Sequence, residues 1–376
     1  MQVSLSTPGA EAVIVPFAGV LSEAGQAALR ALHLPRLQAL MAACPAPVGP
    51  ARGGLAAGAG AAPDTAPELT LSPPHERALA VALGLQAGDG QVPWAALLAR
   101  AAGWPARDRA WGRLTLAHWQ LGTEQVSMLD PAALRLDATT SDALLEAVRP
   151  LFVDDAAGDG AAPGGVGTVE LRAFAPGCWL LAQPALEGLA CASLDRVVGR
   201  NVDLWLGSDP RARWLRRLQN EVQMLLHRHP VNEAREARGE LPVNSFWLDG
   251  CGRLPAPLQA AVVGVAATGD SPDVAPGGDP PDVALGGDVQ RTVTVDDRLR
   301  GPALAEDWHA WSRAFGRLDD TLFARCLARV EAGAAVELTL CGERHALTLR
   351  PGRPGWWQRL RTLGRRADPL ALLQSL

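Results

Sequence analysis

Apolar positions along the chain follow two periods, and these lay out the elements. Ala12 to Pro16 (AVIVP) is a continuous apolar run, which predicts a buried strand. Glu23 to Met41 has helical spacing, interrupted at Pro35. Leu114 to Leu121 and Gln125 to Leu129 read as strands. Thr140 to Val148 reads as an amphipathic helix, with Ser141 as its cap and Asp142 in its first turn. Thr168 to Phe174 and Cys178 to Leu181 suggest a hairpin. Arg211 to His227 predicts a long helix with Trp214, Leu215, Leu218, Val222, Leu225 and Leu226 along one side. Arg291 to Val295 is a strand, followed by helices at Leu304 to Phe315 and Asp319 to Val330, then strands at Val336 to Cys341 and His345 to Leu349.

Three stretches break the pattern. Cys44 to Leu69 and Asp154 to Gly167 are dominated by Ala, Gly and Pro or Asp, and Thr268 to Gln290 holds an imperfect tandem, PDVAPGGDP then PDVALGGDV. All three read as solvated linkers or insertions. Between them, strands and helices alternate as in an α/β core, and the central hairpin and helix suggest an inserted cap.

Composition narrows the chemistry. Hydrophobic residues are 48% and charged residues 20%, as in an ordinary globular protein, and no apolar run reaches membrane-spanning length. A net charge of −5 argues against a nucleic-acid partner. The amino-terminal segment has no basic region before its first apolar run, so a cytoplasmic location is the expectation. All 35 basic residues counted with lysine are arginines, and there is no tyrosine. That excludes Schiff-base and Walker A chemistry, and a phenolic acid or nucleophile. The six cysteines are scattered without a Cys-x-x-Cys pair, arguing against a zinc ribbon. They read as small buried residues of a reducing compartment.

The most informative stretch is Val243 to Pro255, VNSFWLDGCGRLP. An apolar run halts at Gly-x-Gly, as at a strand end opening into a loop. Gly250 and Gly252 would admit a ligand close to the backbone, and Arg253 would meet an anion; from the motif alone, a tight turn with a surface arginine is the plainer reading. Cys251, between the glycines, has no base at a spacing that announces a nucleophile.

With Leu114-Thr115 and His118-Trp119-Gln120 upstream, the run from Ala192 to Pro255 resembles the archaeal-type cofactor-independent phosphoglycerate mutases and, more closely, the bacterial RpfE-type regulatory proteins. The matching positions are His229, Pro230, Asn232, Arg235, Asn244, Trp247, Leu248, Gly250 and Gly252; Asp249 stands where the mutase pattern has Trp. The resemblance implies an α/β fold with an alkaline-phosphatase-like core, a mostly parallel sheet and an inserted α+β cap. Residues 1–150 and 242–350 would build the core, with disordered insertions at 44–69 and 268–290. Residues 168–241 would form the cap, and 351–376 a Trp/Arg-rich tail.

In that family two divalent ions, about 4 Å apart, are held by Asp and His at strand ends and neutralise the transferring phosphoryl group. The first such strand here runs into Phe17-Ala18-Gly19, and the last into Gly342-Glu343-Arg344-His345. With seven histidines and neither Asp-Gly nor Asp-His at those places, no metal site and no cofactor is expected, and no residue is assigned as catalytic. The expected protein is non-catalytic or catalytically altered, with a regulatory or binding role. The alternatives are a mutase or phosphatase with a rearranged site, and an accessory factor.

A candidate ligand cleft would draw on His118, Trp119, Arg235, Asn244, Trp247, Gly250, Gly252 and Arg253, and would suit a small phosphorylated ligand. Each has an ordinary structural alternative. His229 to Asn232 has the residue types of a helix stop, Asp195-Arg196 with Arg200-Asn201 would be an anion contact or an ion-pair cluster, and Asp319-Asp320 would favour a helix amino end. Trp356, Trp357, Arg359 and Arg361 form the one basic, aromatic patch, suited to an unknown protein partner.

Overall fold

Strand β1 (Glu11–Val15) sets the layering, because its side chains alternate between two separate cores. Val13 and Val15 join one cluster of buried residues, Ala12 and Ile14 the other. The protein is seen here in a computed structural model, which describes residues 11–44, 67–106, 108–155, 169–207, 212–255, 262–266, 282–286, 291–350 and 368–376.

On the Val13 side lie helices α1 (Glu23–Arg30) and α2 (Pro35–Ala42), split at Pro35 as the sequence predicts. On the Ile14 side lie α3 (Pro74–Ala82) and α4 (Trp94–Ala101), two Ala-rich helices short enough to escape the periodicity reading.

The next strands are β2 (Trp111–Ala117), β3 (Trp119–Leu121) and β4 (Val126–Met128), followed by helix α5 (Ala138–Asp155). This helix starts earlier than predicted and runs through Pro150. Asp137 Oδ1 accepts from the Thr140 backbone N–H, while Ser141 lies inside and takes hydrogen bonds from Gly177 N and Trp179 Nε1. Beyond Pro150, Phe152 packs against Phe246 at 5.8 Å between ring centroids.

A hairpin, β5 (Glu170–Ala175) and β6 (Cys178–Ala182), leads to the short helix α6 (Leu194–Val197). Helix α7 (Arg213–Leu226) buries Trp214, Leu215, Leu218, Val222 and Leu226, while Leu225 turns outward. His229 does not simply stop that helix. Its Nδ1 accepts from Val231 N and caps α8 (Pro230–Ala237). Then come β7 (Ser245–Gly252), β8 (Val262–Ala266), β9 (Asp282–Gly286) and β10 (Arg291–Val295). Strand β9 lies inside the stretch expected to be disordered, on the second tandem copy, and is held by pairing with both β8 and β10.

Helices α9 (Arg300–Leu304) and α10 (Trp308–Leu318) continue through a π-helical turn, Asp319–Phe323, into α11 (Ala324–Glu331). Strands β11 (Val336–Cys341) and β12 (Ala346–Leu349) precede helix α12 (Pro369–Gln374).

The six-stranded sheet has the order β12-β11-β1-β10-β9-β8. Parallel pairing is confined to its heart, where β1 lies between β11 and β10; the flanking pairs are antiparallel. A second, antiparallel sheet has the order β5-β6-β2-β7. It draws β2 and β7 from outside residues 168–241, so β7 pairs with β2 in this second sheet and does not re-enter the first. Leu114, Leu116, Phe246 and Leu248 face α5 and α7, while Trp111, Leu180 and Ala182 face the core of α3 and α4. The fold is therefore mixed α/β with a parallel-containing sheet, its two sheets meeting across α3 and α4.

Candidate functional site

Strand alternation puts Arg113 and Asp249 on the inner face of the second sheet, directly opposite each other on β2 and β7. The pair is bidentate, Nε to Oδ1 at 2.7 Å and Nη2 to Oδ2 at 2.8 Å, and both residues are buried. Burial works against the Arg113 charge, but Asp249 outweighs it and holds the guanidinium firmly protonated. Asp249 Oδ2 also accepts from Leu194 N, tying β7 to the start of α6.

The first turn of α3 faces this pair. Ser193 Oγ donates to Glu76 Oε1 at 2.7 Å, and burial raises the Glu76 carboxyl to about 7. His75 and Arg113 draw it back down while Asp249 adds to the rise. Beside it, His75 Nε2 lies 3.2 Å from Asp195 Oδ2, whose other oxygen is 2.6 Å from Arg300 Nη2. The next residue, Arg196, donates to Glu343 O and Thr70 Oγ1, and Arg200 Nη2 reaches Glu343 Oε2 at 2.8 Å. Burial, with Arg200 and Arg77, lowers Arg196 to about 10, which leaves it charged. Asp195-Arg196 and Arg200 thus belong to an ion-pair seam joining the two sheets. Its inner members are buried, so what it can do is hold charges in register between the two sheets.

Parallel strands commonly place ligands at their carboxyl ends. Beyond β1, Phe17 takes a left-handed backbone (φ 54°) and sets its ring 5.5 Å from the His75 ring. Beyond β11, Glu343 Oε1 accepts from Leu21 N at 2.9 Å while its other oxygen holds Arg200; His345 is exposed. The Leu376 oxygen accepts from Arg344 N and His345 N at 3.1 and 2.8 Å. Leu376 fits there because Gly19 and Gly342 carry no side chain: a Cβ on either would lie 2.7 or 2.6 Å from its Cβ. Beyond β10, the Asp296 carboxylate is held by Arg298 at 2.6 and 2.8 Å. Among the described residues, no three His, Cys, Asp or Glu side chains stand together as metal ligands. The donor set at these strand ends, one phenyl ring and carboxylates already bound to arginine or backbone, does not fit two divalent ions.

The residues picked out for a ligand cleft divide between opposite ends of β7. At one end Asn244 clamps Trp119, accepting from its N–H and donating to its carbonyl, and His118 Nδ1 lies 2.7 Å from Pro242 O. At the other end Arg253 donates to Asp108 O and Glu187. An eight-residue strand separates the groups by roughly 25 Å. Gly250 (φ 63°) lets the strand pass α4, where a Cβ would sit 3.0 Å from Trp94 Cβ, and Gly252 passes Pro93 likewise. Trp247 is buried with Nε1 on Ala192 O. Arg235 is buried too, donating to Leu241 O and Leu134 O. Gly250, Gly252, Trp247 and Arg235 are thus engaged in packing and backbone contacts, and Arg253 in a surface ion pair, so these residues do not converge on one point. Trp356, Trp357, Arg359 and Arg361 lie outside the described residues.

Sequence reasoning passed over His75, Glu76, Arg113, Ser193 and Arg300. One signal was present: His75 and Glu76 occupy the opening turn of a short helix, PHERALAVA, whose remaining residues are mostly apolar. Nothing in the linear chain pairs Arg113 with Asp249 across 136 positions.

No family model and no curated protein matches the chain. Among solved structures it is similar to the PH0037 protein from Pyrococcus horikoshii, at 13% identity and a TM-score of 0.46, covering 92% of this chain and 88% of that one. It is also similar to the cofactor-independent phosphoglycerate mutase from Thermoplasma acidophilum DSM 1728, at 15% identity and a TM-score of 0.30, covering 91% and 90%. Neither likeness bears on chemistry at these values. Among the described residues, no helix is long and apolar enough to cross a membrane.

Proposed function

We propose that this chain is a catalytically altered relative of the archaeal-type phosphoglycerate mutases, of the RpfE type, that works by binding or regulation and not by phosphoryl transfer. One observation carries the reading. The carboxyl ends of the central parallel strands present Phe17, an arginine-held Asp296 and an arginine-held Glu343, with Leu376 seated across Gly19 and Gly342. Phosphoryl transfer through two metals needs oxygen and nitrogen donors free to face the ions. Here those donors are replaced or engaged, and the neighbouring charges form a closed seam. A binding role leaves that seam intact, because a core closed by ion pairs can still present its outer surfaces to a protein partner or a phosphorylated small molecule.

The test is metal analysis of purified protein together with mutase and phosphatase assays in excess Mn²⁺, Mg²⁺ or Co²⁺. The expected outcome is no stoichiometric metal and no turnover of 3-phosphoglycerate or p-nitrophenyl phosphate. Two equivalents of bound metal with turnover would overturn the reading in favour of a rearranged mutase or phosphatase site.

A further inference from the structure

Two of the six cysteines meet in space although 60 positions separate them: Cys191 Sγ lies 3.7 Å from Cys251 Sγ. The contact is built by irregular backbone on the Cys251 side. Strand β7 bulges against β2, so that Gly250 and Cys251 lie opposite the single residue Gly112. Both glycines flanking Cys251 have positive φ, 63° and 139°. Gly112 leaves room for the sulfur; a Cβ there would stand 3.2 Å from Cys251 Sγ.

On the other side, the segment before α6 is pinned in place. Cys191 N donates to Gly90 O, Ser193 N to Leu71 O, and Trp247 Nε1 to Ala192 O. Cys191 is half-buried while the other five cysteines are buried, so an oxidant in solution meets Cys191 first. The hydrogen bond with Cys191, then burial, pushes the Cys251 thiol up, which makes it the poorer first target for an oxidant.

We propose that Cys191 and Cys251 form a reversible, peroxide-responsive disulfide that fastens the α6 segment to the bulge of β7. The Cys191 thiolate attacks a hydroperoxide oxygen; the O–O bond breaks, and hydroxide leaves and is protonated to water. The sulfur is now a sulfenic acid, oxidised by two electrons. Cys251 Sγ attacks that sulfur, the S–O bond breaks, and the departing hydroxide takes the Cys251 proton as a second water. Two thiols and one hydrogen peroxide give one disulfide and two waters. The sulfurs close from 3.7 Å to about 2.05 Å. Such a bond bears directly on the ionic seam, since Ser193 and Asp195 follow Cys191 closely and Asp249 lies two residues before Cys251. This proposal stands independently of whether the chain turns over a phosphate ester.

The experiment treats the full chain with hydrogen peroxide, blocks the remaining thiols with N-ethylmaleimide, and digests with trypsin and Glu-C. The second protease cuts at Glu187, separating Cys178 from Cys191. The expected result is a Cys191–Cys251 linked peptide two hydrogens lighter than its parts, with free thiols falling from six to four and returning on reduction. In Cys251→Ser, Cys191 should instead accumulate as a dimedone-reactive sulfenic acid. Cys191→Ala, at the less buried position, should leave Cys251 reduced at the same peroxide dose. Overturning results are a wild-type chain in which both residues remain alkylated, one in which Cys191 proceeds to sulfinic acid unlinked, or one in which Cys191 pairs with a different cysteine.

Discussion

Glu76 combines full burial with a carboxyl raised to about 7, and the sign of its effect on stability follows from that direction. Its folded pKa lies above its unfolded value, so between about 4.5 and 7 the native state binds the extra proton. Its contribution is therefore most favourable at low pH and is lost as pH rises through that window, levelling off above it. At about 1.4 kcal/mol per unit the loss amounts to about 3 kcal/mol. Other groups titrate over the same range, so the comparison is with Glu76→Gln, which keeps an acceptor for Ser193 Oγ and removes the charge beside Asp249, with His75 and Arg113 also facing it. Urea unfolding at pH 5 and pH 8 should show a smaller decline for the variant, which should exceed the wild type at pH 8 by about 1–3 kcal/mol. Identical pH dependence of the two proteins would contradict this role.

Asp319 shows how an element can be started by a residue far away in the chain. Helix α2 begins at Pro35 with no side-chain cap of its own. Instead the Asp319 carboxylate, from the π-helical turn between α10 and α11, accepts from Arg36 N at 3.1 Å and Leu37 N at 2.9 Å. The helix amino end expected at Asp319 is not there, since α10 continues through Asp319 into α11; the amino end its carboxylate serves is that of α2. Asp319→Ala should cost roughly 1–2 kcal/mol in chemical denaturation, the usual worth of a cap. Asp320→Ala, which removes only an exposed pair with Arg36, should change stability by less than about 0.5 kcal/mol. Equal effects of the two substitutions would rule out the capping role.

The seating of Leu376 decides what the carboxyl edge of the parallel strands presents. Leu372, Leu373 and Leu376 join the core on the Val13 side, and the Leu376 oxygen satisfies the Arg344 and His345 amides. Gly342→Ala would put a Cβ 2.6 Å from Leu376 backbone and side-chain carbons, so the segment must shift. Hydrogen exchange at the Arg344 and His345 amides should then accelerate by roughly tenfold or more. Unchanged protection would mean that Leu376 does not close this edge.

The periodic elements were legible from the chain by itself because their information is local. Apolar runs and helical spacing located β1, the α1–α2 split at Pro35, the β5–β6 hairpin, α7 and the closing strands, since each element needs only one face to bury. That no Asp-Gly pair follows β1 and no Asp-His pair follows β11 was also visible, because which residues follow a strand is a property of sequence. What only the tertiary structure decided is pairing. Strand β7 joined β2 in an antiparallel sheet because its buried Phe246 and Leu248 match Leu116 and Leu114 across the register. That register set Arg113 on Asp249, while the packing of α3 and the segment before α6 against this sheet brought Glu76 to Ser193 and Cys191 to Cys251. Each of these contacts spans 60 or more positions and depends on which faces two sheets turn toward each other, a choice made by summed burial over the whole molecule and written in no local pattern.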